Sequence, residues 1–177
     1  MDCPKCKKTT LEATEIENGL VAAQCTGCNG MLIPLFSFRY WAKNLSSESS
    51  PEINPTPTED SDNAIICSKC SHLMLKYLIG IEQKNKLDLC SSCDDVWLDA
   101  GEWQLLKQLG IHTQLASITT DVWQSDLRKQ RQWNLEKSRY EKILGKKDFS
   151  KLIEFQEWLS NHPEKHHIKQ FILLKSH

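Results

Sequence analysis

The chain has 177 residues, with 22 Lys and Arg against 23 Asp and Glu and a formal net charge of −1, so any contact with nucleic acid must be regional. At 40% apolar residues and a mean hydropathy of −0.48, its longest apolar run is the six residues 31–36, too short to span a bilayer as a helix. Met1-Asp2-Cys3-Pro4-Lys5-Cys6 has neither the basic stretch nor the apolar core of an export signal, so a reducing, cytoplasmic setting is expected.

The chain opens on the first of four CxxC pairs, Cys3/Cys6, Cys25/Cys28, Cys67/Cys70 and Cys90/Cys93, which use all eight cysteines. Under reducing conditions paired thiolates at this spacing suit a tetrahedral metal better than a disulfide framework. Cys6 and Cys25 are separated by 18 residues and Cys70 and Cys90 by 19, so the unit is duplicated. The repeat extends to packing residues: Leu11 matches Leu75, and Met31-Leu32-Ile33 matches Val96-Trp97-Leu98.

In residues 1–43, the segments 11–16 and 20–24 around Asn18-Gly19 predict a β-hairpin. Two CxxC turns brought together by such a hairpin complete four ligands, which describes a zinc ribbon. Residues 44–63 contain three prolines and five acidic residues with no Lys or Arg and predict a flexible acidic linker. As a coil of about 20 residues its reach is roughly 25 Å, which predicts two tethered ribbons of variable mutual orientation.

Residues 64–110 repeat the pattern, with a hairpin over 73–81 and 86–89. Asp99 and Glu102 then stand at capping-box spacing, and Gly110 is placed to stop a helix of about ten residues. Residues 111–177 predict a helical C-terminal region. A long polar helix covers 121–144, and Phe149, Leu152, Ile153, Gln156 and Leu159 have helical spacing. Asn161-His162-Pro163 ends that helix and starts another, with Ile168, Phe171 and Ile172 expected to face inward. The expected fold class is small α+β: two four-cysteine zinc ribbons, a flexible linker and an α-helical tail.

A unit of about 40 residues has too little core to fold alone. Structural zinc supplies roughly 10 to 16 kcal/mol of apparent binding free energy, so the metal acts as the core. The expected ligands are Cys3, Cys6, Cys25 and Cys28 for one Zn2+ and Cys67, Cys70, Cys90 and Cys93 for a second. Four thiolates leave no open position for a catalytic water; iron in the same cage is the alternative metal.

The second unit resembles a known family. Cys67-Ser68-Lys69-Cys70 and Cys90-Ser91-Ser92-Cys93, followed by Val96-Trp97-Leu98-Asp99-Ala100-Gly101-Glu102, are similar to the bacterial TFIIB-type zinc-ribbon family, whose hallmark is CxxCxGxWLDxGE. Asp95 stands where the hallmark has glycine, so the turn after Cys93 is expected to differ, and the first unit is a divergent copy lacking the Trp and the Asp/Glu pair. The resemblance implies zinc binding, a ribbon fold and, by analogy with transcription-factor ribbons, a role in transcription.

Trp97, Asp99 and Glu102 are explained structurally, by an indole covering the metal turn and an acidic helix cap. His72 follows an already complete ligand set and reads as a surface residue. His162, His166 and His167 beside Glu164 make a weaker metal candidate. No Ser/His/Asp grouping, glycine-rich phosphate loop or catalytic carboxylate pair stands out, so no enzyme is expected, and a thiol redox or chaperone-like role ranks last. The basic excess lies in residues 102–177, with 13 Lys and Arg against 9 Asp and Glu. There Arg128, Lys129, Arg131 and Arg139 could contact phosphates, and Trp133 could stack a base. Nucleic acid or the transcription machinery is therefore the first expected partner class and a protein adaptor role the alternative, with neither membrane nor small-molecule substrate indicated.

Overall fold

The computed structural model describes residues 1–45 and 63–174, so most of the expected linker lies outside the described residues. The chain divides into two compact units, Met1–Lys129 and Gln130–His177.

In the first unit β1 (Leu11–Glu17) and β2 (Leu20–Cys25) form the expected hairpin, followed by β3 (Met31–Pro34) and α1 (Leu35–Lys43). The second repeat supplies β4 (Leu75–Leu78), β5 (Lys86–Cys90), β6 (Asp95–Leu98) and α2 (Glu102–Gln108). A short 3-10 turn at His112–Gln114 and α3 (Leu115–Ile118) lead into α4 (Asp121–Leu144). The strands form one six-stranded antiparallel sheet in the order β1-β2-β3-β6-β5-β4.

That order corrects the expectation of two tethered units of variable orientation, because β3 and β6 hydrogen-bond to each other across the repeats. The register pairs Met31 with Leu98, Leu32 with Trp97, Ile33 with Val96 and Pro34 with Asp95. Under the repeat, Met31 is equivalent to Val96 and Ile33 to Leu98, so the first and third pairs interchange and Leu32/Trp97 lies at the centre. The seam thus has the self-complementary form of a twofold dimer interface, built within one chain.

Strand alternation sends side chains to two faces. One face carries Leu20, Met31, Ile33, Leu87, Val96 and Leu98, covered by Leu35, Phe38 and Trp41 of α1, Trp103 and Leu106 of α2, and Leu115 and Ile118 of α3. The opposite face gathers Leu32, Trp97, Ile65 and Met74 with Cys3, Cys25, Cys67 and Cys90. Gln124 closes the end of the outer strand β4: its Oε1 accepts the Leu78 N–H at 3.2 Å, and its Nε2 donates to the carbonyls of Leu78 and Ile118, each at 2.9 Å.

The helix after the second repeat is shorter than expected, and its cap is half a capping box. Glu102 Oε2 accepts the Asp99 N–H at 2.8 Å, but the Asp99 carboxylate does not cap the helix and is engaged elsewhere. Gly110 ends α2 as expected, at φ +69°, with its own N–H donating to Lys107 O and that of Ile111 to Leu106 O, a Schellman pair.

Where α1 meets α2, the rings of Trp41, Trp103 and His112 converge with centroids 6.1 to 6.4 Å apart. Trp103 Nε1 and Lys107 Nζ both donate to Glu17 Oε1, at 3.0 and 2.6 Å. Among the described residues His112 Nδ1 is buried with no hydrogen-bond partner. Burial pushes the His112 pKa below its ordinary value; Glu17 acts upward and Lys107 downward. A depressed folded pKa makes the stability contribution complete above the unfolded value near 6.5 and lost as pH falls through the folded value. Urea midpoints measured from pH 7.5 to 5 should therefore fall more steeply for the native chain than for His112→Phe. Parallel profiles would show that His112 does not charge on unfolding.

The second unit contains the end of α4, then α5 (Lys146–Asn161) and α6 (Lys165–Leu173). The three helices agree with expectation, except that α6 begins two residues after Pro163. Phe149 and Leu159 are buried, but Phe171 is 75% exposed, and Ile172, Leu173 and Leu174 are exposed as well. This corrects the expectation that Phe171 and Ile172 face inward. Helical spacing identifies a stripe, not whether anything covers it.

Candidate metal centre

Each repeat brings its two CxxC turns together at one end of its hairpin. In both sets, Cys3/Cys6/Cys25/Cys28 and Cys67/Cys70/Cys90/Cys93, the four Sγ atoms lie within 4.8 Å of one another. Cys3 and Cys28 Sγ are 3.7 Å apart, Cys67 and Cys93 3.9 Å, and Cys70 and Cys90 3.4 Å. A disulfide needs about 2.05 Å. The edge of a tetrahedron with Zn–S bonds of about 2.3 Å is about 3.8 Å, which these separations bracket. Both sets could hold a metal ion, as their spacing implied.

The four turns share one backbone design. The residue after each second cysteine, Lys7, Asn29, Ser71 and Asp94, has φ between +55° and +62°. Its N–H donates to the carbonyl of the first cysteine at 2.8 to 2.9 Å. The turn after Cys93 is therefore like the other three, contrary to the expectation drawn from Asp95. The left-handed residue is Asp94, whereas Asp95 already belongs to β6. Asp95 is 1% exposed, and its carboxylate pairs with Lys69 Nζ at 2.7 Å, inside the partner CxxC turn.

Electrostatics inside each set express the crowding of four thiols. Burial pushes Cys3 and Cys28 up. It also opposes ionisation of Cys25, but the backbone N–H groups of Cys28 and Gly27 outweigh it and bring Cys25 down to about 7. In the second set the backbone N–H and the imidazole of His72 bring Cys70 down to about 6. The hydrogen bond with Cys70 pushes Cys93 up to about 12, and burial raises Cys90. Such a mixture is what a pocket does to several ionisable groups when it cannot hold all their charges. A divalent cation would favour all four thiolates.

His72 is exposed, as expected of a surface residue, and it also touches the second cysteine set. Its Nδ1 stands 3.2 Å from Cys70 Sγ, and its carbonyl accepts the Cys67 N–H at 2.8 Å. Trp97 is buried as expected, in the cluster that contains Cys67 and Cys90 of its own repeat, and its ring also meets the first repeat. A Cβ added to Gly30, in the first repeat, would stand 2.3 Å from Trp97 Cζ2. The indole Nε1 donates to Asp99 Oδ1 at 3.0 Å, and Lys5 Nζ, from the first CxxC turn, reaches the same oxygen at 3.2 Å. Gly30 and Lys5 were missed because nothing local in the sequence marks a contact between repeats.

No family model, curated protein or solved structure matches the chain.

The remaining candidates lie apart from the cysteines. Among the described residues no third cluster of His, Cys, Asp or Glu gathers ligand atoms. His167 Nδ1 instead pairs with Glu164 at 2.6 Å, and His162 Nδ1 accepts the Glu164 N–H. Arg128, Lys129, Arg131, Trp133 and Arg139 all lie on α4. At about 100° per residue Arg128, Arg131 and Arg139 share one side, while Trp133 lies about 140° round from Arg128. Trp133 is half-exposed and lines a groove with Lys137, Ile153 and Gln156. Lys129 pairs with Asp126 at 3.5 Å.

Proposed function

We propose that this chain is a non-enzymatic zinc protein in which two four-cysteine ribbons, each holding one Zn2+, support a helical region that binds a protein partner. The convergence of both cysteine sets at tetrahedral spacing carries the metal part of the reading. Four thiolates complete the coordination of zinc and leave no position for a reacting water. The string from Trp97 to Glu102 supports placing the second repeat with the TFIIB-type ribbons, and the first as its divergent copy.

A protein partner is favoured by how charge and apolar surface are distributed. Five cations of the repeat region are held in ion pairs: Lys5 with Asp99, Arg39 with Asp94, Lys69 with Asp95, Lys76 with Asp88 and Lys107 with Glu17. The second unit leaves Trp158, Phe171, Ile172, Leu173 and Leu174 exposed, apolar side chains that a protein partner would cover. Nucleic acid, through the cations of α4, is the second reading, favoured by the shared side of Arg128, Arg131 and Arg139.

Three measurements on the full chain test this. Elemental analysis should return two zinc per chain. Filter binding at low salt should retain neither single- nor double-stranded DNA or RNA. Cross-linking in nuclease-treated cells should capture a protein that the Phe171→Ser/Leu173→Ser variant, still holding two zinc, loses. Salt-dependent retention of duplex DNA, with the slope reduced by about two to three units on neutralising Arg128, Lys129 and Arg139, would replace the protein partner with nucleic acid.

A further inference from the structure

We infer that the two four-cysteine sites are thermodynamically coupled, each binding its metal more tightly when the other is filled, through contacts of Lys5 and Gly30 with Asp99 and Trp97. The inference rests on the metal-binding reading and adds that the sites load together.

The contacts cross the seam between β3 and β6. The first CxxC turn of the first repeat reaches Asp99 of the second, and the residue two past its second CxxC reaches Trp97. Lys5, inside the Cys3/Cys6 turn, pairs with Asp99 Oδ1 at 3.2 Å. Gly30, two residues past Cys28, packs so closely on the Trp97 ring that a Cβ there would meet it at 2.3 Å. Trp97 and Asp99 are joined by the indole hydrogen bond of 3.0 Å. Trp97 is also in register with Asp88 of β5, two residues before the ligand Cys90. The buried cluster on this face contains cysteines from both sets, with Leu32 and Trp97 between them.

A turn whose sulfurs are drawn to one ion holds its neighbouring residues in place, because metal binding and folding of such turns are one process. Emptying the first site frees the turns carrying Lys5 and Gly30. Asp99, a carboxylate only 3% exposed, then loses its ion pair with Lys5, and Trp97 loses packing on one side. Removing one partner of a buried ion pair is destabilising, and here the disturbance falls at the end of β6, the strand that begins two residues after Cys93. Emptying the second site loosens Cys90, Cys93 and the start of β6, withdrawing the surface on which Lys5 and Gly30 rest. Linkage requires the same factor in both directions. With a salt bridge and an indole contact at stake, the factor should be on the order of tenfold, within the usual range of such couplings.

The test is an anaerobic titration of the reduced, full-length chain with zinc against a competing chelator, with native mass spectrometry counting chains that hold none, one or two ions. Single-site constants come from Cys3→Ser/Cys6→Ser and from Cys67→Ser/Cys70→Ser. Coupling predicts that the product of the wild-type stepwise constants exceeds the product of the single-site constants about tenfold. In Lys5→Met, which keeps all eight ligands, two ions should still bind, but the half-loaded population at one equivalent should rise above that of wild type. This arm stands even if a disabled site prevents folding. Equal products, or an unchanged half-loaded population in Lys5→Met, would overturn the coupling while leaving metal binding intact. A wild-type chain that takes up no zinc would overturn the metal-binding reading itself.

Discussion

Stripping zinc from both sites should unfold the six-stranded sheet, not just the CxxC turns. The metal-side face of that sheet has few apolar side chains of its own; Leu32, Trp97, Ile65 and Met74 share it with buried cysteines. Each structural zinc contributes roughly 10 to 16 kcal/mol of apparent binding free energy in small domains, comparable with the whole stability of a typical domain, about 5 to 15 kcal/mol. Without the ions, four crowded thiols per site stay partly protonated, and nothing draws the paired turns together. Hydrogen exchange after chelation under reducing conditions should therefore show loss of protection in β2, β3, β5 and β6. Helical signal from α4 to α6, which contain no cysteine, should persist. Protected strand amides in the stripped chain would show that the apolar face under α1, α2 and α3 is sufficient alone.

The ligands were legible in the sequence because metal coordination imposes a local spacing, and both hairpins were legible because their strands are neighbours in sequence, joined by Asn18-Gly19 in the first and by residues 79–85 in the second. The seam was not, since it pairs Met31–Pro34 with Asp95–Leu98 across the whole intervening chain. Its signal was nevertheless present. Met31-Leu32-Ile33 and Val96-Trp97-Leu98 do not alternate apolar with polar residues, and a strand that is apolar on both sides is one covered on both faces. An isolated ribbon offers no such place. The mutual orientation of the repeats is set by the β3–β6 pairing, a non-local contact that the composition of residues 44–63 does not encode.

The helix after the first repeat was also hidden. Leu35, Phe38 and Trp41 have helical spacing and are all buried, but the segment is short and no side-chain cap marks its start after Pro34. Lys5 and Asp95 show a different limit. Each forms an ion pair with a partner distant in sequence, and charge spacing alone cannot supply that partner. In α6 the error ran the other way, since an apolar stripe was visible but the surface to cover it was not.

Trp97→Ala should be among the most damaging substitutions outside the cysteines. The side chain is 0% exposed, lies at the centre of the seam opposite Leu32 and donates a hydrogen bond to the buried Asp99 carboxylate, so truncation leaves a cavity and removes a polar contact together. A loss of about 3 to 5 kcal/mol is expected for a buried Trp, read from denaturant midpoints with both zinc ions bound. Gly30→Ala tests the same contact from the opposite repeat. Its Cβ would stand 2.3 Å from Trp97 Cζ2 and 2.9 Å from Cη2, and overpacking of this kind costs about 1 to 3 kcal/mol. If the clash with the indole is the cause, a smaller residue opposite should relieve it, so Gly30→Ala combined with Trp97→Leu should cost less than the sum of the single changes. Additive losses would place the effect of Gly30→Ala elsewhere in its turn and remove the indole as the contact between repeats.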